Sequence, residues 1–312
     1  MSLSGDRSNS TLGGNFSSSD STPGDLSIQW TAPTVLFTII TALTFLLGVP
    51  GNGAVVWVTG FKMKRGVHTV CFLNLAVADL TYCLIVPFLV SSYFVLRPWP
   101  QDKLLWMFLF CAVTLIMSSS TFLLTLISIF RFLAVTRPIW FRQHLRLSWV
   151  RAVCFGAWGL SFLTCLPSLL MEQIDVHLGH NIFTVLHIAW VMLIFGLSVV
   201  IMVACYFLIA RELSRDQFAK SRKTVRLIVT LVVAFNVCWL PKTVCSFIQV
   251  FQPVTIEWIY ITLSLASFNS ALNPLLYVFA GSDFRQVFKR SLAASLRLAL
   301  AEEGVTVGER PS

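Results

Sequence analysis

The sequence predicts an all-α membrane protein, a seven-transmembrane helix bundle with a short amphipathic eighth helix. Three features support this prediction: the apolar runs, the distribution of positive charge and a polar stretch inside the last run. The chain of 312 residues is 56% hydrophobic and only 12% charged, whereas soluble domains are about 25% charged. One bilayer crossing takes about 20 apolar residues. Seven runs are long enough, at 31–60, 68–95, 104–135, 147–170, 182–210, 224–250 and 255–280.

The distribution of lysine and arginine predicts the orientation of these spans. Basic residues cluster after the first, third, fifth and seventh runs, at 61–66, 131–151, 211–226 and in the C-terminal tail. The opposite ends carry only three, Arg7, Arg97 and Lys103. The positive-inside rule therefore predicts a multi-pass plasma-membrane protein with an extracellular N-terminus. The net charge of +9 reflects this bias, and it indicates contact with membrane lipids or an acidic partner, not nucleic acid.

The chain divides into one membrane domain and its flanking segments. The first 30 residues are rich in serine, glycine and threonine, which predicts disorder, and Asn9 and Asn15 are glycosylation acceptors there. Apolar residues at helical spacing with basic residues between them predict an amphipathic helix at the end of the chain. The predicted units are 1–30 (extracellular), 31–280 (seven-helix domain), 281–298 (membrane-surface helix) and 299–312 (cytosolic tail). Residues 171–181 are predicted to be an outer connection.

The last apolar run contains the polar stretch Asn269–Tyr277, and the second run contains Asp79, the one carboxylate deep in a span. Polar groups inside a membrane are costly unless they face other helices, water or an ion. Burying an unpaired carboxylate there costs at least ~2.5 kcal/mol. Asp79 therefore needs either a proton or a cation.

Several short motifs recur in a fixed order along these runs. They are Gly51-Asn52, Leu75–Asp79, Arg131, Trp158, Cys238–Pro241 and Asn273–Tyr277. Together they resemble the rhodopsin-like (class A) G-protein-coupled receptors over about residues 32–295. Within that class the chain is similar to the chemoattractant group: formyl-peptide, chemerin and anaphylatoxin receptors, with the second prostaglandin D2 receptor. The motifs for this closer similarity include FLNLAVADL with Pro87, Trp99-Pro100 and Arg137–Trp140.

The resemblance implies a cell-surface receptor that transmits the binding of an extracellular ligand to a heterotrimeric G protein. It implies no enzyme activity, and the chain shows no catalytic constellation. A structural sodium ion is the one expected cofactor, in a polar core formed by Asp79, Ser120, Asn269, Ser270 and Asn273. The alternative is a neutral Asp79 hydrogen-bonded to Asn52 and Asn273, with no ion. The resemblance assigns G-protein coupling and the activation switch to Arg131, Tyr206, Pro274 and Tyr277.

Lys242 is the one basic residue in the outer half of a span. It lies three residues after Trp239, so the two share a helix face. The family implies that Trp239 points into the bundle, which would turn Lys242 inward as well. An inward cation predicts a ligand carboxylate or another anion, on an anionic lipid or a peptide. The alternative is that Lys242 extends to the outer headgroups.

The chain departs from the family pattern at three positions. Phe130 stands where the family has an acid beside the arginine, and Ser198 stands where the fifth span has a proline. Trp106 stands where the family has a disulfide cysteine, and no extracellular disulfide is predicted. These departures leave a weakly coupling or decoy receptor as the alternative. A Mas-related receptor and a seven-span transporter are weaker alternatives, since Trp239 opposes the first and no paired intramembrane charges support the second.

Overall fold

The computed structural model describes residues 31–94, 103–178, 180–215 and 219–280, together with 286, 287 and 290. Near the ends of several helices only the backbone is described. Eight α-helices follow one another in this part of the chain: α1 (Ala32–Trp57), α2 (Val67–Phe94), α3 (Lys103–Thr136), α4 (Pro138–His144), α5 (Leu147–Leu178), α6 (His180–Arg215), α7 (Ala219–Phe251) and α8 (Ile256–Ala280).

Seven of these helices correspond to the seven predicted spans, and the predicted bundle is confirmed. The predicted and observed first residues differ by one or two in most spans, with the largest differences in α6 and α7. Six helices of the described part are long and apolar enough to cross a membrane. The seventh, α8, covers the predicted span 255–280 and carries Asn269, Ser270 and Asn273.

Two local features were not predicted. The segment Val58–Lys62 continues α1 as a π-helical turn, in which the amide of Met63 bonds the Val58 carbonyl at 2.9 Å. The short helix α4 begins at Pro138, which is favoured at a first helical position because it has no amide hydrogen to satisfy. Its last turn carries Arg142 and His144.

The prediction of an outer connection over 171–181 is wrong for most of its length. Helix α5 continues to Leu178 and helix α6 begins at His180. The segment contains good helix formers such as Met171, Glu172 and Gln173, and it has no proline. The backbone therefore remains helical up to the residue before Gly179.

Helix α3 lies at the centre of the bundle, in contact with α2, α5, α6 and α7, while α1 packs against α2 and α8. The main core cluster joins side chains of α1, α2, α3, α5, α6 and α7. Its largest buried side chains include Leu75, Leu123, Ile127, Met202 and Phe235. Large apolar side chains such as Phe155 are exposed on the outside, where a membrane protein faces lipid.

Two glycines bring α1 against its neighbours. A Cβ added at Gly48 would overlap Cys83 Sγ on α2, and one added at Gly51 would lie 2.9 Å from Pro274 Cβ on α8. Small residues of this kind allow helix backbones to approach closely inside a membrane. They bring α1 close to α2 and α8, the helices that carry Asp79 and the polar stretch Asn269–Tyr277.

Several predicted features lie outside the described residues. They are the N-terminal segment with Asn9 and Asn15, most of the membrane-surface helix 281–298, and the tail 299–312. They stay predictions.

Candidate functional site

A cavity of about 450 Å³ lies in the half of the bundle away from the arginine-rich ends of the helices. Helices α1, α2, α3, α5, α6, α7 and α8 all contribute to its lining. The walls are mainly apolar, with side chains such as Val86, Val113, Met117, Phe195 and Leu263. Its size and lining are those of a small-molecule pocket, which is typically 300–1,000 Å³ and mostly apolar. This is called the outer cavity below.

Lys242 and Trp239 both line the outer cavity, as the shared helix face predicted. Lys242 is partly buried, and its Nζ donates to Ser246 Oγ at 2.8 Å, one turn along α7. Among the described lining residues it is the one side chain charged at neutral pH, and no aspartate or glutamate is among them. Removing a cation from water without a counterion is costly. The described lining of the outer cavity therefore offers Lys242 no counter-charge.

The floor of the outer cavity is formed near Trp239. Its ring lies 6.1 Å from the Phe235 ring, centroid to centroid, and Phe235 in turn packs on Phe195 of α6 at 6.0 Å. The Trp239 Nε1–H is buried without a hydrogen-bond partner in the described structure. Buried donors normally have a partner, so this indole is a second group that a ligand can satisfy.

Two pairs of polar side chains in the wall are bonded to one another across helices. The Tyr82 hydroxyl and Ser267 Oγ lie 2.7 Å apart, and Thr164 Oγ1 donates to Ser118 Oγ at 2.9 Å. These residues and Ser246 were not predicted from the sequence. The i,i+4 spacing of Lys242 and Ser246 is the signal that would have indicated the last of them.

Asp79 lies at the centre of the polar core and is fully buried. Asn273 Nδ2 on α8 donates to Asp79 Oδ2 at 2.6 Å, and Ser120 and Ser270 lie beside the same carboxylate. The second oxygen, Oδ1, has no hydrogen-bond partner in the described structure. The structure thus brings together Asp79, Asn273 and the two serines of the predicted set.

Asn52 has a different role from the one suggested by the ion-free alternative. Its Nδ2 donates to the carbonyl oxygens of Gly48 at 3.0 Å and Ser270 at 2.9 Å. The amide therefore ties α1 to α8 and does not bond Asp79. Its own Oδ1 remains buried without a partner.

In the described part of the chain, the polar-core side-chain atoms that are buried without a hydrogen-bond partner are all oxygens. There are four such oxygens, the Oδ1 atoms of Asn52, Asp79, Asn269 and Asn273. They come from α1, α2 and α8, which pack against one another. Oxygen ligands including a carboxylate suit a hard cation. The residues present therefore fit a sodium ion.

At the arginine-rich end, Arg131 is partly buried near the end of α3. Tyr206 on α6 lies near it, and the Tyr206 hydroxyl is 3.0 Å from Ser128 Oγ. Pro274 is inside α8. Tyr277 belongs to the same helix, but its side chain lies outside the described residues.

Phe130 occupies the position of the missing acid and packs into the protein. It is only 6% exposed and belongs to the main core cluster. Apolar packing therefore stands where the resemblance leads one to expect a carboxylate beside Arg131. Ser198 is buried within α6, which remains helical through this position. All eight cysteines of the chain are free.

The family model for the 7 transmembrane receptor (rhodopsin family) matches residues 51–277. The chain belongs to the rhodopsin family of seven-transmembrane receptors. It is therefore a multi-pass receptor of the plasma membrane and not an enzyme.

Relatives of this rhodopsin-family chain confirm the resemblance to the chemoattractant group. The chain is 35% identical over 288 residues to the C3a anaphylatoxin chemotactic receptor of Danio rerio, covering 88% of this chain and 80% of the relative. It is 30% identical over 316 residues to N-formyl peptide receptor 2 of Macaca mulatta, covering 91% of each. It is 32% identical over 305 residues to the fMet-Leu-Phe receptor of the same species, covering 87% and 88%.

Proposed function

We propose that this receptor binds an anionic ligand in the outer cavity through Lys242 and transmits the binding to a heterotrimeric G protein. The supporting observation is Lys242 itself, a partly buried cation in a cavity whose other described lining residues are uncharged. A ligand anion would replace the lost hydration of the ammonium group with a charge-assisted hydrogen bond.

The shape of the ligand follows from the rest of the lining. Apolar side chains of six helices surround the cavity, so most of the ligand surface must also be apolar. An acidic lipid and an apolar peptide with a free carboxyl group both meet this description. The names of the relatives, a C3a anaphylatoxin receptor and two formyl-peptide receptors, support a ligand of the chemoattractant type.

The orientation is part of the proposal. The arginine-rich helix ends would face the cytosol and the outer cavity would open to the extracellular side, in accord with the positive-inside rule. Arg131 and Tyr206 would then lie at the face that meets the G protein. Ligand binding near Trp239 would shift the bundle between two states that differ at this face.

A sodium ion in the polar core belongs to the same proposal. Asp79 and the buried amide oxygens of Asn52, Asn269 and Asn273 would hold it. When bound, the ion supplies positive charge that offsets the buried carboxylate. The side chain of Asn273 already orients Asp79 by donating to Oδ2.

A receptor that binds ligand but couples weakly is the second candidate. Phe130 and Ser198 favour it, because both replace residues that the family uses to control coupling. Nucleotide exchange on purified heterotrimeric G proteins separates the two. Exchange that depends on the receptor and is lost in Arg131→Ala supports coupling, whereas equal exchange with and without the receptor across all G-protein classes and ligands supports the decoy.

The ligand assignment is tested with a panel of acidic lipids and apolar peptides on the wild-type chain and two variants. Lys242→Gln is expected to lose responses to acids, and Lys242→Arg to retain part of them. Gln249→Ala is the matched control, since Gln249 lines the same cavity on the same helix without a charge. Acid responses that are equal in the wild-type chain and Lys242→Gln would contradict the assignment.

A further inference from the structure

A second cavity of about 620 Å³ lies at the arginine-rich end of the bundle, between the end of α3, helix α4 and the end of α6. It shares no lining residue with the outer cavity or the polar core. This is called the basic cavity below. Neither the family assignment nor the proposed receptor function gives it a ligand.

The basic cavity has a charged part made of two arginines and one glutamate. Arg137 lies at the junction of α3 and α4, and Arg211 and Glu212 lie near the end of α6. Both arginines are exposed and Glu212 is partly exposed. Guanidinium groups bind phosphate and carboxylate oxygens in a bidentate manner. A complementary ligand therefore carries two anionic groups and one cationic group.

Apart from Thr136, the remaining lining is apolar and aromatic. Phe132 and Leu133 on α3, Trp140 on α4 and Leu208 on α6 form this part. Trp140 is 45% exposed and Leu208 is 39% exposed. Tryptophan at this level is typical of a membrane interface, where one end of a group is apolar and the other is hydrated. A small water-soluble anion would leave this wall uncovered, whereas a lipid would cover it with an acyl chain.

We propose that the basic cavity binds phosphatidylserine from the adjacent leaflet. Its headgroup carries a phosphate, a carboxylate and an ammonium group, which match Arg137, Arg211 and Glu212 in number and sign. Basic pockets between transmembrane helices at the cytosolic side are known to bind anionic headgroups. The glutamate makes the cavity selective for a headgroup that also carries a cation.

The proposed lipid lies in the cytosolic leaflet only if the arginine-rich end faces the cytosol, so the location depends on the proposed orientation. Binding to the purified chain in detergent micelles does not depend on it. A failure of lipid binding is therefore distinguishable from an inverted orientation or from absent G-protein coupling.

The test is native mass spectrometry of the full chain with phosphatidylserine, phosphatidylglycerol, phosphatidylethanolamine and phosphatidylcholine added in turn. Phosphatidylserine is expected to be retained most strongly by the wild-type chain. A basic residue near a membrane surface contributes enough to anionic-lipid binding that Arg137→Gln and Arg211→Gln should each weaken retention about fivefold. Arg142→Gln is the matched control, an exposed arginine of α4 outside the cavity lining, and it should bind as the wild type does.

Glu212→Gln tests the selectivity. It should reduce the preference for phosphatidylserine over phosphatidylglycerol, since it removes the partner of the ammonium group and leaves both arginines in place. Glycerophosphoserine, which has no acyl chains, should compete weakly. Equal retention in Arg137→Gln, Arg211→Gln and Arg142→Gln would overturn the proposal, and so would equal retention of phosphatidylserine and phosphatidylglycerol by the wild-type chain.

Discussion

Replacing Asp79 by asparagine should remove the response of the receptor to sodium while leaving the fold intact. Asp79 is fully buried, and one of its oxygens has no hydrogen-bond partner in the described structure. An unsatisfied buried group costs about 1–3 kcal/mol, and a carboxylate inside the membrane costs more. A bound sodium ion would remove most of that penalty, and Asp79→Asn would remove the charge that attracts the ion.

The expected magnitude follows from binding linkage. An ion present at ten times its Kd stabilises the folded state by about 1.4 kcal/mol. At about 2–4 °C per kcal/mol, the scale for domains of 150–250 residues, this raises Tm by about 3–6 °C. The wild-type Tm should therefore rise by this amount when sodium chloride replaces choline chloride at equal ionic strength.

The assay is thermal unfolding of the purified receptor, followed by tryptophan or thiol-reactive fluorescence. In choline chloride, Asp79→Asn should be at least as stable as the wild type, because it has no buried charge to neutralise. Thr125→Val is the matched control, since it removes a buried hydroxyl that bonds only the Thr121 carbonyl at 2.9 Å. This control should lower Tm equally in both salts.

Two results would refute the reasoning. One is a wild-type Tm that is the same in sodium and choline, which would leave Asp79 neutral and hydrogen-bonded to Asn273 without an ion. The other is a sodium response that persists in Asp79→Asn, which would place the ion elsewhere.

Two further substitutions test the packing. Gly48→Ala should lower the free energy of unfolding by about 1–3 kcal/mol, because its methyl group would overlap Cys83 Sγ. Gly53→Ala is the control and should be near neutral, since there is open space around its Cβ position. Equal unfolding temperatures of the two variants would contradict the close approach of α1 and α2. Phe130→Asp should lower Tm by several degrees, since it removes a core aromatic ring. If the receptor is a decoy, Phe130→Asp should stimulate nucleotide exchange through a restored pair with Arg131, and the wild type should not. Nucleotide exchange stimulated by the wild type would contradict the decoy alternative.

The helix bundle could be predicted from the sequence because each span has its own length of apolar residues. Two of the segments that connect the spans were not predicted correctly. Helix α4 depends on Pro138 at its first position and on packing against α3, which an apolar run does not reveal. The connection at 171–181 is mostly helical because good helix formers extend both spans beyond their most apolar parts.

The candidate site was predicted in part. The spacing of Trp239 and Lys242 placed both on one face, and the structure puts both in the outer cavity. The partner of Lys242, Ser246, was missed although it is one turn away. The Tyr82–Ser267 pair joins α2 to α8, and a contact between distant segments has no signal in a single sequence.

Phe130 shows how a departure from a family pattern acquires its meaning only in three dimensions. The sequence indicated a lost acid beside Arg131. The structure shows a core aromatic ring, 6% exposed, in its place. Restoring the acid would therefore disturb packing as well as charge, and its effect on coupling has to be measured together with its effect on stability.

The central claim is that Lys242 is the counterion of the ligand, and a comparison of an acid with its methyl ester tests it most directly. Any activating acid from the panel is measured against its ester on the wild-type chain and on Lys242→Gln. A charge-assisted hydrogen bond contributes about 1.5–3 kcal/mol, so the ester should bind the wild type about 10- to 150-fold more weakly. On Lys242→Gln the acid and the ester should bind with similar affinity. An ester penalty of equal size in both proteins would contradict the claim.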